Sequence, residues 1–168
     1  MDGCNYPIHR LKHDIFSLLF KVKSSLELVS GKDDLLSIAR ENILSLEKVL
    51  RRVMLLSRLA QGDYSFREEE TDICLLIGEI LGTSFEEGAI IKTDSSLLTE
   101  AFYSLKDILG ENYNLSCSKD GFSLEGELNI QSEVERFYLE FFLCVLSCLG
   151  MKVKHTGSKI EVRWQGCS

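Results

Sequence analysis

Proline is nearly absent: Pro7 is the only one in 168 residues. After that position nothing in the chain forces a break in a long helix except glycine and polar turns. The six cysteines, at 4, 74, 117, 144, 148 and 167, include no Cys-x-x-Cys and no Cys/His group with zinc spacing. Cys144 and Cys148 share a helix face inside an apolar run, where core packing is expected, and the scattered pattern suits a reducing compartment. No Gly-x-Gly and no Walker-type loop occur, so neither glycine-rich phosphate cradle is present. The longest apolar run, Phe137 to Leu149, is interrupted by Glu140 and is shorter than the roughly 20 residues a bilayer requires. The opening Met1-Asp2-Gly3-Cys4-Asn5 has no basic region followed by an apolar one, so no signal peptide is expected. These absences predict a cytoplasmic protein with no membrane association.

What is there is a globular composition, 45% apolar, with a net charge of −7. The acidic total argues against a nucleic-acid partner. The charge is uneven. Residues 1–60 carry ten Lys/Arg against seven Asp/Glu, and residues 61–168 carry nine against nineteen. The basic first third would steer an acidic partner or a phosphoryl group, or it is simply solvated helix surface.

Ile8 to Val29 reads as one helix of about six turns. Ile8, Leu11, Ile15, Leu18, Val22 and Val29 alternate at three and four spacing, which makes a heptad seam. Pro7 suits its first turn and Gly31 its end. Asp33 is a candidate N-cap for a second helix to about Ala60, with Leu36, Ala39, Ile43, Leu46, Leu50, Val53 and Leu56 along its stripe. The short Ser30-Gly31-Lys32 connection makes the two an antiparallel hairpin. Stripes this wide need more cover than two helices give each other. Either a second copy supplies it, as a dimeric four-helix bundle, or the rest of the chain folds back over it.

His13 falls opposite the seam, so it is expected to face water beside Asp14. Arg10 and Ser17 lie one turn either side, and Phe16 and Phe20 flank it. A solvated surface histidine is the ordinary reading; a nucleophilic histidine that carries a group between partners is the other. Phe16 and Phe20 are in turn either docking anchors for a partner or core residues packed against the second helix.

The stretch Arg10-Leu11-Lys12-His13-Asp14-Ile15-Phe16-Ser17 resembles the phosphoacceptor helix of sensor histidine kinases. It is more similar still to the ChpT-like histidine phosphotransferases of bacterial phosphorelays. The resemblance extends through Leu26-Glu27-Leu28 and ends with Arg58-Leu59-Ala60-Gln61-Gly62. It departs after the serine, where the usual proline is Leu18, removing a local kink. The resemblance implies His13 as phosphoacceptor and Asp14 as its orienting acid. Arg10 and Lys12 would then lie near the phosphoryl group, with Phe16, Ser17 and Phe20 against a receiver domain.

Beyond residue 62 the pattern changes. Residues 61–71 are polar and read as a linker. Helix is expected over Ile73 to Leu81, about Ser95 to Leu109, and Val134 to Leu149, the last apolar nearly all round. Ala89 to Lys92 reads as a short strand. Tyr113–Cys117 with Phe122–Leu128, and Met151–His155 with Lys159–Trp164, read as hairpins. The fold class is therefore α+β. A dimerising hairpin over 1–62 precedes a small sandwich over 72–168 that resembles the ATP-binding domain of histidine kinases, with pieces missing. That family binds ATP through asparagines on its first long helix and glycine-rich boxes around a lid. Here the asparagine positions match Ser104 and Ile108, and Asp120-Gly121 is a turn. The resemblance thus implies a degenerate domain without a nucleotide site, and no cofactor beyond magnesium brought by the receiver. His155 reads as a surface residue; His9, one turn before His13 on a neighbouring face, is read as a candidate partner contact and not as the phosphoacceptor.

Two classes of function follow. One is a phosphotransferase, not an ATP-dependent kinase, that passes a phosphoryl group on His13 between receiver aspartates. Its partners would be response regulators, a hybrid histidine kinase and a second copy of the chain. The other is a non-catalytic, kinase-like regulator that binds and inhibits a kinase or response regulator.

Overall fold

The structure is a computed structural model that describes residues 15, 17–22, 24, 25 and 33–164. Residue 15 and residues 17–22, 24 and 25 are helical. A long helix α1 (Asp33–Gln61) follows. Then come β1 (Glu69–Asp72), α2 (Ile73–Leu81), β2 (Ile90–Thr93), α3 (Ser95–Lys106), β3 (Leu109–Ser118), β4 (Gly121–Leu128), α4 (Glu133–Cys148), β5 (Lys152–Thr156) and β6 (Lys159–Arg163). The class is α+β, and the strand pairing among the described residues is antiparallel. β1 and β2 form a two-stranded ribbon, and the other four strands form a sheet in the order β3-β4-β6-β5.

Local chemistry explains the helix starts. Asp72 accepts from the Leu75 amide and opens α2, and Asp94 accepts from the Leu97 amide and opens α3. Ser132 and Glu135 form a reciprocal capping box at α4. α2 ends at Gly82 with φ 75°, a left-handed conformation that suits glycine. The β5–β6 turn places Gly157 at φ 58° for the same reason.

The core lies between the helix layer and the four-stranded sheet. Phe102 of α3 stands edge-on to Phe122 of β4 at 5.4 Å and to Phe142 of α4 at 5.3 Å. All three rings are buried, together with Leu98, Leu105, Phe137, Phe141, Leu124 and Ile160. The alternation along β4 and β6 sends Phe122, Leu124, Ile160 and Val162 inward.

Three expectations change. The stretch read as a linker contains β1, whose Glu69 to Asp72 pair with Thr93 to Ile90. Three acids in four residues have little intrinsic strand preference; the partner strand, some twenty positions away, creates the pairing. The helix expected to reach residue 109 ends at Lys106, and Leu109 opens β3 with a register irregularity before Tyr113. Cysteine spacing did not announce a disulfide, yet Cys74 of α2 is bonded to Cys117 of β3, with Cα atoms 5.7 Å apart. Their sulfurs meet only when the helix and strand layers stack. Cys144 is disulfide-bonded as well, so this α4 residue does more than pack. Among the described residues no helix is long and apolar enough to cross a membrane.

Candidate functional site

Of the residues singled out on the first helix, Ser17 and Phe20 are described. Phe20 is 70% exposed, next to exposed Leu19 and Lys21, while Ser17 is half-buried. Ile15 and Leu18 pack against the core, so the helix does have an inner and an outer side here. Arg10, Lys12, His13, Asp14 and Phe16 lie outside the described residues, as does His9.

α1 carries two apolar stripes. One turns to the second part of the chain. Val49 is fully buried there, and Val53, Leu56 and Leu59 pack against the core. The other holds Leu36, Ile43, Leu50 and Met54, all exposed, with Met54 at 66%. These four repeat at seven, seven and four residues, which keeps them on one side of the helix.

Between the two parts sits a charged junction that the sequence reading missed. Arg52 is only 2% exposed; its Nη2 donates to Asp107 Oδ2 at 2.9 Å, and its guanidinium lies 4.2 Å from the centre of the Tyr138 ring. Nε and Nη1 have no hydrogen-bond partner, and the ring faces offset part of that desolvation. Lys48 reaches the other Asp107 oxygen at 2.9 Å, and Arg51 reaches Glu100 at 3.4 Å. Those two pairs are solvated and contribute well under ~1 kcal/mol each. The Arg52–Asp107 pair is part-buried, with Arg52 enclosed and the Asp107 side chain 24% exposed, so removing Asp107, which strands the Arg52 charge, should cost more than removing Arg52. The available signal was the position of Arg52 inside the Val49–Leu56–Leu59 stripe, where a basic residue has no ordinary place. Burial lifts the Tyr138 hydroxyl above its ordinary pKa, against the pull of Arg52.

A second clasp holds the segment after α1. The Tyr64 hydroxyl donates to Asp94 Oδ2 at 3.1 Å, and the Arg67 amide donates to the same oxygen at 2.9 Å. Arg58 of α1 stacks over the Tyr64 ring at 5.4 Å. Asp94, itself buried, thus binds the chain entering the second part while capping α3. Burial, then the Asp94 charge, raise the Tyr64 hydroxyl above its ordinary pKa.

The two positions matched to nucleotide-binding asparagines are both fully buried. The Ser104 hydroxyl donates to the Tyr138 carbonyl at 2.7 Å, and the Ile108 carbonyl accepts from the Asn129 amide at 2.8 Å. α3 lies against α4, and β4 passes into α4 through residues 129–132 alone. Among the described residues, hollows open elsewhere on the surface. One of about 580 Å³ is lined by Asp120, Lys152, Arg163 and Trp164; another, of about 430 Å³, lies beside His155 and Ser158. His155 is exposed and its Nε2 lies 3.0 Å from the Gly157 carbonyl, a contact within its own turn. Among the described residues no cluster of His, Cys, Asp and Glu is arranged to hold a metal ion.

No protein-family model matches the chain, and no curated protein matches it in sequence. Among solved structures it is similar to the Acinetobacter baumannii histidine kinase AdeS. The TM-score is 0.64 at 14% identity, over 92% of this chain and 94% of that one. The fold is therefore histidine-kinase-like.

Proposed function

We propose that the chain is a histidine phosphotransferase of a two-component phosphorelay, working in the cytoplasm with His13 as its phosphoacceptor. The observation that carries this reading is the Arg10-Leu11-Lys12-His13-Asp14-Ile15-Phe16-Ser17 stretch at the head of a chain with a histidine-kinase-like fold. In the transfer, the lone pair of a neutral His13 ring nitrogen attacks the phosphorus of a receiver's aspartyl phosphate. The bond from phosphorus to the carboxylate oxygen breaks, and the aspartate leaves as a carboxylate. The second step repeats this in reverse onto another receiver. Such a transition state is loose, so positioning and charge neutralisation do most of the work. Asp14 holds the proton on the other ring nitrogen, and Arg10 and Lys12 offset charge on the phosphoryl oxygens. Magnesium belongs to the receiver.

The second domain is a brace on this reading, not an ATPase. Ser104 has its hydroxyl committed to a backbone carbonyl, Ile108 has no polar side chain to offer, and residues 129–132 are too few for a lid. The exposed Leu36–Ile43–Leu50–Met54 stripe supports a homodimer through the helical hairpins, since bare apolar seams are normally covered. The receiver docks over Ser17 and Phe20, beside Phe16, with Phe20 as an apolar anchor.

One observation favours the alternative of a non-catalytic regulator: Leu18 stands where the resembled family has a proline, which alters how His13 is presented. A single experiment separates the readings. Purified receivers carrying labelled phosphate are mixed with the wild-type chain and with His13→Ala. Transfer to the wild type and complete loss in the variant, at unchanged helix content, is the expected result. Receiver binding without transfer would establish the regulator instead, and full labelling of His13→Ala would remove the assignment.

A further inference from the structure

Cys74 and Cys117 belong to different layers of the second domain. Cys74 lies in the first turn of α2 and is 1% exposed. Cys117 is half-buried near the end of β3, opposite Phe122 in register. The bond joins residues 43 apart in sequence and ties α2 to the sheet at its N-terminal end. At the other end of α2 the Lys106 Nζ donates to the Ile80 carbonyl at 2.6 Å, and the Tyr113 hydroxyl reaches the Leu81 carbonyl at 3.5 Å. Directly before α2 come β1 and the Tyr64–Arg67 segment that clasps Asp94. The covalent tie is thus placed where the helical hairpin enters the second domain.

We propose that Cys74–Cys117 is a redox-controlled staple, opened by small thiols that enter at Cys117, which sets how firmly α2 is held on the sheet. This does not rest on the phosphotransfer reading.

Exchange begins when the thiolate of a small thiol attacks Cys117 Sγ, since Cys117 is the less buried residue of the pair. The Cys74–Cys117 bond breaks, a mixed disulfide forms on Cys117, and Cys74 leaves as a thiolate. That thiolate then takes a proton from water. A second small thiol then attacks its own kind in the mixed disulfide and releases Cys117 as a thiol. Two electrons have passed to the protein, and two small thiols have become one small disulfide. Closure by an oxidised small disulfide is the reverse. A disulfide with one half-buried cysteine, in a compartment kept reducing by such thiols, opens and closes with their balance instead of persisting. The closed state shortens the unfolded chain's freedom over 43 positions and holds α2 in place.

The test uses the full chain in a Cys144→Ala background, so that the disulfide of Cys144 does not contribute. The native protein is equilibrated across ratios of glutathione to glutathione disulfide, alkylated, and digested without reduction. The peptide linking Cys74 to Cys117 should disappear as the ratio rises. The melting temperature should fall by about 10 °C over the same range, and backbone amides of α2 should lose exchange protection. With Cys74→Ala, glutathione disulfide should modify Cys117; with Cys117→Ala, Cys74 should stay unmodified. A linked peptide that never forms in excess glutathione disulfide would overturn the proposal. So would one that survives every ratio, an unchanged melting temperature, or modification at Cys74 in place of Cys117. The comparison of oxidised and reduced protein needs no change at either cysteine, so a poorly folding variant does not decide the outcome.

Discussion

α1 and α4 are both long amphipathic helices, and they finish with different amounts of bare apolar surface. α4 places Phe137, Tyr138, Leu139, Phe141, Phe142, Val145 and Leu146 in the core and leaves no large apolar side chain exposed. α1 buries Ala39 and Val49 and leaves Leu36, Ile38, Ile43, Leu44, Leu50 and Met54 exposed. α4 lies between α3 and α1, so neighbours from its own chain cover it. The exposed stripe of α1 has no such neighbour among the described residues. A helix completed by its own fold serves stability, and a helix left open serves assembly or recognition. The two kinds of phenylalanine repeat the contrast: Phe102 is enclosed by Phe122 and Phe142, and Phe20 stands in solvent.

The strongest way to probe this contrast is the same substitution in both places. Phe102→Ala should cost about 3–5 kcal/mol, because the cavity sits among rings that cannot all close in. That corresponds to a fall of about 10 °C or more in melting temperature. A fall of only a degree or two would mean the second domain is not the stabilising half. Next in size is Ile43→Glu on the open stripe. Light scattering should give twice the chain mass for the wild type and a single chain for the variant, since a carboxylate there would be buried against its symmetry mate. A wild-type monomer at micromolar concentration would assign the stripe some other use. Smaller again is Phe20→Ala. Its melting temperature should stay within about a degree of wild type, while transfer from a phosphorylated receiver slows several-fold, as loss of an aromatic anchor predicts. A melting loss of several degrees without slower docking would place Phe20 in the core after all.

The smallest expected effect concerns pH. Tyr64 and Tyr138 both have hydroxyls raised above the ordinary 10.0, chiefly by burial. A raised pKa in the fold means the neutral phenol is favoured there. Its contribution is fully present below pH 10 and is lost as pH climbs through the raised folded-state value. Melting curves should therefore be flat on this account up to about pH 10 and decline above it. Tyr64→Phe should show a shallower decline, at the cost of the Asp94 hydrogen bond at every pH. An equally steep decline in the variant would clear Tyr64 of the effect.

Most of the elements were legible because their signals are local. The 3.6-residue spacing of Leu98, Phe102 and Leu105 and the turns at Lys119-Asp120 and Gly157 all act within one or two turns of chain. The candidate phosphoacceptor was legible for another reason: Arg10 to Ser17 is a continuous stretch, and the chemistry of a histidine beside an acid can be read without coordinates. The sequence by itself thus determined the α+β class, the order of the helices and later strands, and the residues worth testing on the first helix.

Tertiary structure decided what depends on distant partners. β1 exists because β2 lies beside it. Arg52 is tolerated inside an apolar stripe because Asp107 and Tyr138 arrive 55 and 86 positions later. Tyr64 turns a polar connection into a clasp only where Asp94 is buried to receive it. Cys74 and Cys117 carry no spacing signal, and their sulfurs are brought together by the stacking of a helix on a sheet. In each case the stabilising contact exists only once two groups distant in sequence meet, and a linear sequence holds no record of which two will meet.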